Sequence, residues 1–162
     1  MKIGKTILLF VIILGTITSI NGQNCRNFHK KNVKVPRNED YKYYGQSKSA
    51  VMVANKTTVY RAVFYGNKDY KVIFCTEYGD YPVRYVIKSV EDNKVLYDNI
   101  IDDYVESVGF TIDNTQCLLF EITLISDETE EQKNEDIEQR FCVGMQILWR
   151  KIGTMGFVAQ NF

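Results

Sequence analysis

The sequence predicts an all-β domain, an antiparallel jelly-roll-like β-sandwich of about eight strands, standing behind an N-terminal export signal. Three observations carry this. Short runs rich in Val, Ile, Tyr and Phe recur from residue 49 to residue 150, apolar and polar residues alternate within them, and Gly, Asn and Asp separate them. Alternation buries one face of a strand and solvates the other, as two packed antiparallel sheets require. Strands repeating about every ten residues point to a sandwich rather than to βαβ units.

Residues 1–22 read as a secretory signal. Lys2 and Lys5 precede an apolar run from Ile7 to Leu14, and Ser19, Asn21 and Gly22 form a small polar exit. The run is too short to cross ~30 Å of hydrocarbon, so cleavage after Gly22 leaves a chain without a membrane span. Gly22-Gln23-Asn24 is not the small apolar set that favours lipidation of the following Cys25. The signal places the protein outside the cytoplasm, in the periplasm, at the cell surface or in the medium. Residues 23–45 are polar and read as an irregular arm, with Lys30, Lys31, Lys34 and Arg37 as a solvated basic stretch and His29, the single histidine, at the surface.

The sandwich then occupies residues 46–151, ahead of a tail at 152–162. Its strands are expected at Ser49–Ala54, Thr58–Tyr65, Tyr70–Glu77, Val83–Val90, Lys94–Asp98, Glu106–Ile112, Cys117–Ile125 and Phe141–Arg150. Val108, Phe110 and Ile112 share one face. So do Leu118, Phe120, Ile122 and Leu124, and in the last strand Val143, Met145, Ile147 and Trp149, opposite Gly144 and Gln146. The turns between strands hold residues that accept positive φ or bond their own backbone, such as Gly66-Asn67-Lys68-Asp69 and Glu91-Asp92-Asn93. Residues 127–138 carry seven acids against one lysine and read as a solvated acidic loop.

Removing the signal leaves 162 − 22 = 140 residues, one ordinary domain, with 18 basic against 20 acidic side chains once Lys2 and Lys5 are gone. A near-neutral chain has no electrostatic footprint for nucleic acid. All four cysteines lie in the mature part, as expected for an exported chain with disulfides, and their wide spacing gives no CxxC. Cys75 and Cys142 fall in apolar strand-like runs and are the favoured pair, leaving Cys25 and Cys117 as a second pair or as free thiols.

No catalytic constellation is evident: a triad needs a histidine beside a nucleophile, and no P-loop, dinucleotide fingerprint or Gly-x-Ser-x-Gly elbow occurs. A hydrolase would need two carboxylates facing each other across a cleft. Asp98, Asn99, Asp102 and Asp103 gather the oxygen ligands that a calcium ion needs, although Asp and Asn at a strand end also form turns. No other cofactor is indicated. Among eleven tyrosines, Tyr41, Tyr43, Tyr44, Tyr78 and Tyr81 are the candidates for a ligand surface, because tyrosine joins broad contact area to a polar tip. A glycan or a cell-envelope protein is the expected partner, and a structural envelope role without a small ligand is the alternative. A small outer-membrane barrel fits the terminal Phe162 but not the short strands or Lys71, Arg84 and Lys88 within them. Asn55-Lys56-Thr57 matches an N-glycosylation sequon.

Gly45-Gln46-Ser47-Lys48-Ser49-Ala50-Val51, the stretch from Phe64 to Val72 leading to Cys75, Leu96-Tyr97-Asp98-Asn99 and Cys142-Val143-Gly144 resemble a family of small exported bacterial proteins of unknown function. The resemblance implies a single β-sandwich domain, transfers no catalytic residue, and implies Cys75 and Cys142 as a matched pair with Cys117 outside the pattern. In texture the chain is also similar to sandwich domains appended to secreted peptidases and to carbohydrate-binding modules.

Overall fold

The computed structural model describes residues 24–35, 40–79, 81–127 and 139–152, with Tyr78 described by its backbone alone. The expected signal at 1–22, the acidic stretch at 128–138 and the tail from 153 onward lie outside the described residues.

Among the described residues nine strands follow one short helix, α1 (Phe28–Asn32): β1 (Lys42–Tyr43), β2 (Lys48–Val53), β3 (Thr57–Phe64), β4 (Lys68–Thr76), β5 (Val83–Ser89), β6 (Val95–Asp98), β7 (Ser107–Ile112), β8 (Gln116–Leu124) and β9 (Arg140–Lys151). The eight strands expected from alternation are all present, with ends shifted by one or two residues. One sheet runs β2-β9-β4-β7, with β1 pairing on the same edge of β9 as β2; the other runs β3-β8-β5-β6. Every pairing is antiparallel. From β2 onward each connection except β5–β6 passes from one sheet to the other, the winding of a jelly roll.

Between the sheets lies an aromatic core. Phe64, Tyr70, Phe74, Tyr85 and Phe120 are all buried in it. Phe74 on β4 stacks on Tyr85 of the opposite sheet at 4.4 Å between ring centroids, and Phe64 meets Tyr70 edge to face at 4.8 Å. Several tyrosines are thus core filling, the role that strand propensity favours.

The outer faces of the two sheets differ. That of β3-β8-β5-β6 is charged, with Lys88 paired to Glu121 at 2.6 Å and Arg84 to Asp98 at 2.7 Å. On the other sheet, β9 is buried on both faces from Cys142 to Leu148. The segment read as an irregular arm supplies the cover: α1 lies across β9, and Cys25 is bonded to Cys142 with 5.3 Å between their Cα atoms.

This corrects the expected Cys75–Cys142 pair. Cys75 lies opposite Gly144, so Cys142 is its diagonal neighbour two residues away, a Cα separation of ~7–8 Å that a disulfide does not span without backbone movement. Cys75 and Cys117 are free thiols, and no second Cys25–Cys117 bridge forms. His29 also departs from expectation, being 5% exposed rather than at the surface. It sits directly over Gly144, where an added Cβ would meet the His29 backbone at 2.8 Å and the Cys75 Sγ at 2.6 Å. Glycine is what lets the helix approach the sheet.

Candidate functional site

One hollow of the described surface, about 350 Å3, is a cleft at the end of the sandwich where β4 leads to β5, lined by Cys75, Thr76 and Tyr81 on one wall and by Asp103, Tyr104 and Glu106 on the other. The second wall belongs to the segment between β6 and β7, which begins with a 3-10 turn over Asn99–Asp102.

Asn99 explains how this segment is held. The β5–β6 ladder ends at Val86 and Asp98, leaving the edge of β5 without a backbone partner. The fully buried Asn99 amide takes over: its Oδ1 accepts from Tyr85 N–H at 2.8 Å, and its Nδ2 donates to Val83 O at 2.8 Å and Val105 O at 3.3 Å. An asparagine side chain carries the donor and acceptor of a peptide group, so it can continue a ladder where the strand stops. Asp98 caps the turn from Ile100 N–H and pairs with Arg84, whose guanidinium holds the carboxyl below its usual range.

The segment then bends through two successive left-handed residues, Asp103 (φ 53°) and Tyr104 (φ 57°). The other left-handed non-glycine residues among those described are all Asn or Asp, the types that tolerate this region. Such a conformation costs an aromatic residue about 1–3 kcal/mol and persists where its surroundings enforce it. The segment exposes three apolar side chains, Ile100, Ile101 (74% exposed) and Val105, flanking in sequence the cleft-lining Asp103 and Tyr104.

The four residues read as calcium ligands are therefore spent separately. Asp98 holds Arg84, Asn99 holds the backbone, Asp102 accepts from Tyr97 Oη at 2.6 Å, and Asp103 lines the cleft. Among the described residues no group of three or more His, Cys, Asp or Glu side chains converges as a metal site would need. Nor do the tyrosines form one platform. Tyr81 lines the cleft and packs on Phe141 at 4.5 Å, whereas Tyr41 lies under the Arg150 guanidinium at 4.9 Å. Tyr44 donates to Val63 O, its phenol pushed up to about 12 mainly by burial. The side chain of Tyr78 lies outside the described part.

The second hollow, about 210 Å3, is a cavity beside α1 lined by Asn27, His29, Lys30, Tyr43, Tyr44 and Gln146, among others. Ser49 Oγ accepts from His29 N–H at 2.8 Å and lies 2.5 Å from His29 Nδ1. The other ring nitrogen, Nε2, is buried with no hydrogen-bond partner. Gln146 Nε2 donates to Ser47 Oγ at 2.8 Å and to Ile147 O at 3.0 Å, and its Oε1 also lacks a partner. A carbonyl such as Ile147 O only accepts, so the amide orientation is fixed.

Neither hollow assembles a reaction centre from the described residues. Burial pushes the Cys75 thiol up to about 11, so it is protonated at neutral pH and a poor nucleophile. The Ser49–His29 pair sits between helix and sheet, with nothing orienting the second ring nitrogen. The exposed Ile100, Ile101 and Val105 and the buried His29 and Gln146 leave little trace in the sequence. Their only signals are two isoleucines between acids at 98–103 and the lack of charge at 142, 144, 146 and 148 of the last strand.

No family model matches the chain, and no curated protein matches it. Among solved structures it is similar to the crystal structure of Aeromonas hydrophila PliG, a periplasmic lysozyme inhibitor of g-type lysozyme. The identity is 7% and the TM-score 0.44, over 73% of this chain and 93% of that one, a likeness too distant to bear on what this chain binds.

Proposed function

We propose that the protein is an exported, non-catalytic binding protein that docks a protein partner on residues 99–106, with the adjoining cleft receiving a basic side chain. The observation that carries this is the exposure of Ile100, Ile101 and Val105 within one short segment, held by a strained turn that the buried Asn99 pins to β5. Scattered apolar side chains on a surface are ordinary, but three within six residues, on the segment that walls a concavity, suit an interface centre. Asp103 and Glu106 line the cleft with no cation among its lining residues, which favours Lys or Arg on the partner. The Cys25–Cys142 disulfide supports an oxidising, exported setting.

Selection of random displayed peptides on the oxidised protein tests the reading, with the variants Ile101→Asp and Glu106→Lys as counter-targets. Peptides pairing a basic residue with apolar neighbours should be enriched, and both variants should weaken them by about tenfold or more, the scale of a 1.4 kcal/mol contact. Enrichment indifferent to both variants, or a soluble glycan bound in the cleft in place of any peptide, contradicts it.

A further inference from the structure

The strand edges of the sandwich are not treated alike. On the edge strand β3, the outward backbone of Val63 is closed by the Gln46 amide, whose Oε1 accepts from Val63 N–H at 3.0 Å and whose Nε2 donates to Val63 O at 3.1 Å. Asn99 closes β5 in the same way where β6 stops. The edge strand β7 has no such plug. It pairs with β4 alone, in register from Val108 on either side of Gly109. Phe74 N–H donates to Glu106 O at 2.8 Å, and in an antiparallel ladder the bonded residues alternate. Val108, Phe110 and Ile112 therefore turn their peptide groups to β4, whereas Ser107, Gly109 and Thr111 turn theirs outward. All three are exposed, and among the described residues nothing bonds that edge.

An exposed row of unpaired donors and acceptors is a template for another strand, and sheets ordinarily blunt it with charge, proline or a bulge. From Ser107 to Ile112 β7 carries none of these. At its centre stands Gly109. Glycine weakens a strand, and inside one it marks a bulge or the close approach of another backbone. The register runs through Gly109 without a bulge, and a Cβ there would meet nothing nearer than Tyr70 O at 3.7 Å, so this glycine answers no packing need of the chain itself. Charge selects the occupant. Residues 99–113 hold Asp102, Asp103, Glu106 and Asp113 and no Lys or Arg, while Lys68 and Lys71 of β4 lie one strand further in. A second copy would set this acidic edge against itself, whereas a basic segment complements it.

Resting on the reading that a protein partner docks at residues 99–106, we propose how it does so: an extended basic segment of the partner adds to the outer edge of β7 as an antiparallel strand, bonding the peptide groups of Ser107, Gly109 and Thr111. Antiparallel pairing is the more stable per residue. In this direction the C-terminal end of the added strand reaches Glu106, and its Lys or Arg enters the cleft from there. Main-chain bonds supply the affinity, and the acids choose the segment.

The random-peptide selection on the oxidised protein is repeated with Gly109→Pro as counter-target. The Gly109 N–H points away from β4, so proline removes an edge donor and leaves the ladder, residues 99–106 and the cleft in place. Enriched peptides should carry Lys or Arg toward their C-terminal end and lose about tenfold or more on Gly109→Pro. N-methylation of an enriched peptide, one residue at a time, alters neither its side chains nor the protein, and should abolish binding at alternate positions only. Peptides weakened by Ile101→Asp but not by Gly109→Pro, or N-methylation without that period of two, keep the docking reading and overturn strand addition. No enriched peptide overturns both. In the free protein, amide exchange should be slow at Val108 and Phe110 and fast at Ser107, Gly109 and Thr111. Protection of those three that grows with protein concentration assigns the edge to a second copy, and protection independent of concentration assigns it to the chain's own residues; either overturns the proposal.

Discussion

The cleft beside residues 99–106 is pinned by the amide of one buried asparagine, whereas the cavity beside α1 is pinned by a disulfide and by a glycine that lets a helix lie flat on a sheet. The first hollow is built from the local continuation of a strand edge, so its wall stays close to the core in both sequence and space. The second depends on a segment bonded to a cysteine 117 residues away. The chemistry displayed follows the support. A pinned turn at the rim can expose isoleucines to a partner, while a roof over a sheet encloses polar atoms away from water. The two hollows should therefore fail independently.

The largest effect should come from the disulfide. Replacing Cys25 and Cys142 with serine should cost about 4–5 kcal/mol on the loop-entropy scale for a closure of more than a hundred residues. Chemical denaturation measures it, and hydrogen exchange should show α1 and the amides beneath it opening while Tyr85 and Val105 stay protected. Asn99→Ala reverses the pattern. It leaves buried backbone groups of Val83 and Tyr85 unpaired, at about 2–4 kcal/mol, and should loosen residues 99–106 without altering the His29 resonances. A loss of protection at both hollows in either variant would break the comparison.

Glycine positions sharpen it. Gly144→Ala pushes a methyl into the backbone of His29, at 2.8 Å, and should cost about 1–3 kcal/mol by overpacking. Gly109→Ala, on β7 of the same sheet, meets nothing closer than Tyr70 O at 3.7 Å. It should stay within about 1 kcal/mol, the ordinary penalty range of a surface strand change.

A smaller effect is expected from pH. Burial, aided by the neighbouring Lys30, lowers the His29 pKa from its ordinary 6.5. A depressed folded pKa means that the unfolded chain binds the proton first, so stability is full above pH 6.5 and falls as pH drops toward the folded value. Asp69, Asp92 and Asp98 are also lowered, from 3.8, and act only further down. Thermal unfolding should thus show a loss of stability as pH falls below 6.5 that His29→Asn abolishes. A slope unchanged by that substitution would mean His29 is not enclosed as described.

Much of the sandwich is legible in the sequence because a two-residue period reports burial directly. Phe110 and Ile112, or Phe120 and Ile122, can face a core only as strand residues. The roof on β9 was harder to read. Gly144 and Gln146 occupy the positions that alternation assigns to solvent, and polarity alone does not separate a solvated position from one under a helix. Charge does: the exposed sheet carries Arg84, Lys88 and Glu121 at the equivalent places, and β9 carries none between Cys142 and Leu148. The disulfide is not legible because residence in strands says nothing about register, and Cys75 misses Cys142 by one diagonal step. The acidic residues at 98–103 looked like a metal site because a ligand inventory resembles a turn inventory; only the hydrogen bonds of Asn99 and Asp98 separate the two.

The measurement that bears most directly on function is site-specific photocrosslinking in the compartment where the protein resides. One photoreactive residue replaces Ile101, and another replaces Val59, which is 56% exposed on β3 amid the charged face. Docking on residues 99–106 predicts one discrete protein adduct from position 101, none from position 59, and loss of the adduct when Glu106→Lys is added. Equal adducts from both positions, or an adduct at 101 that survives the charge reversal, would contradict it.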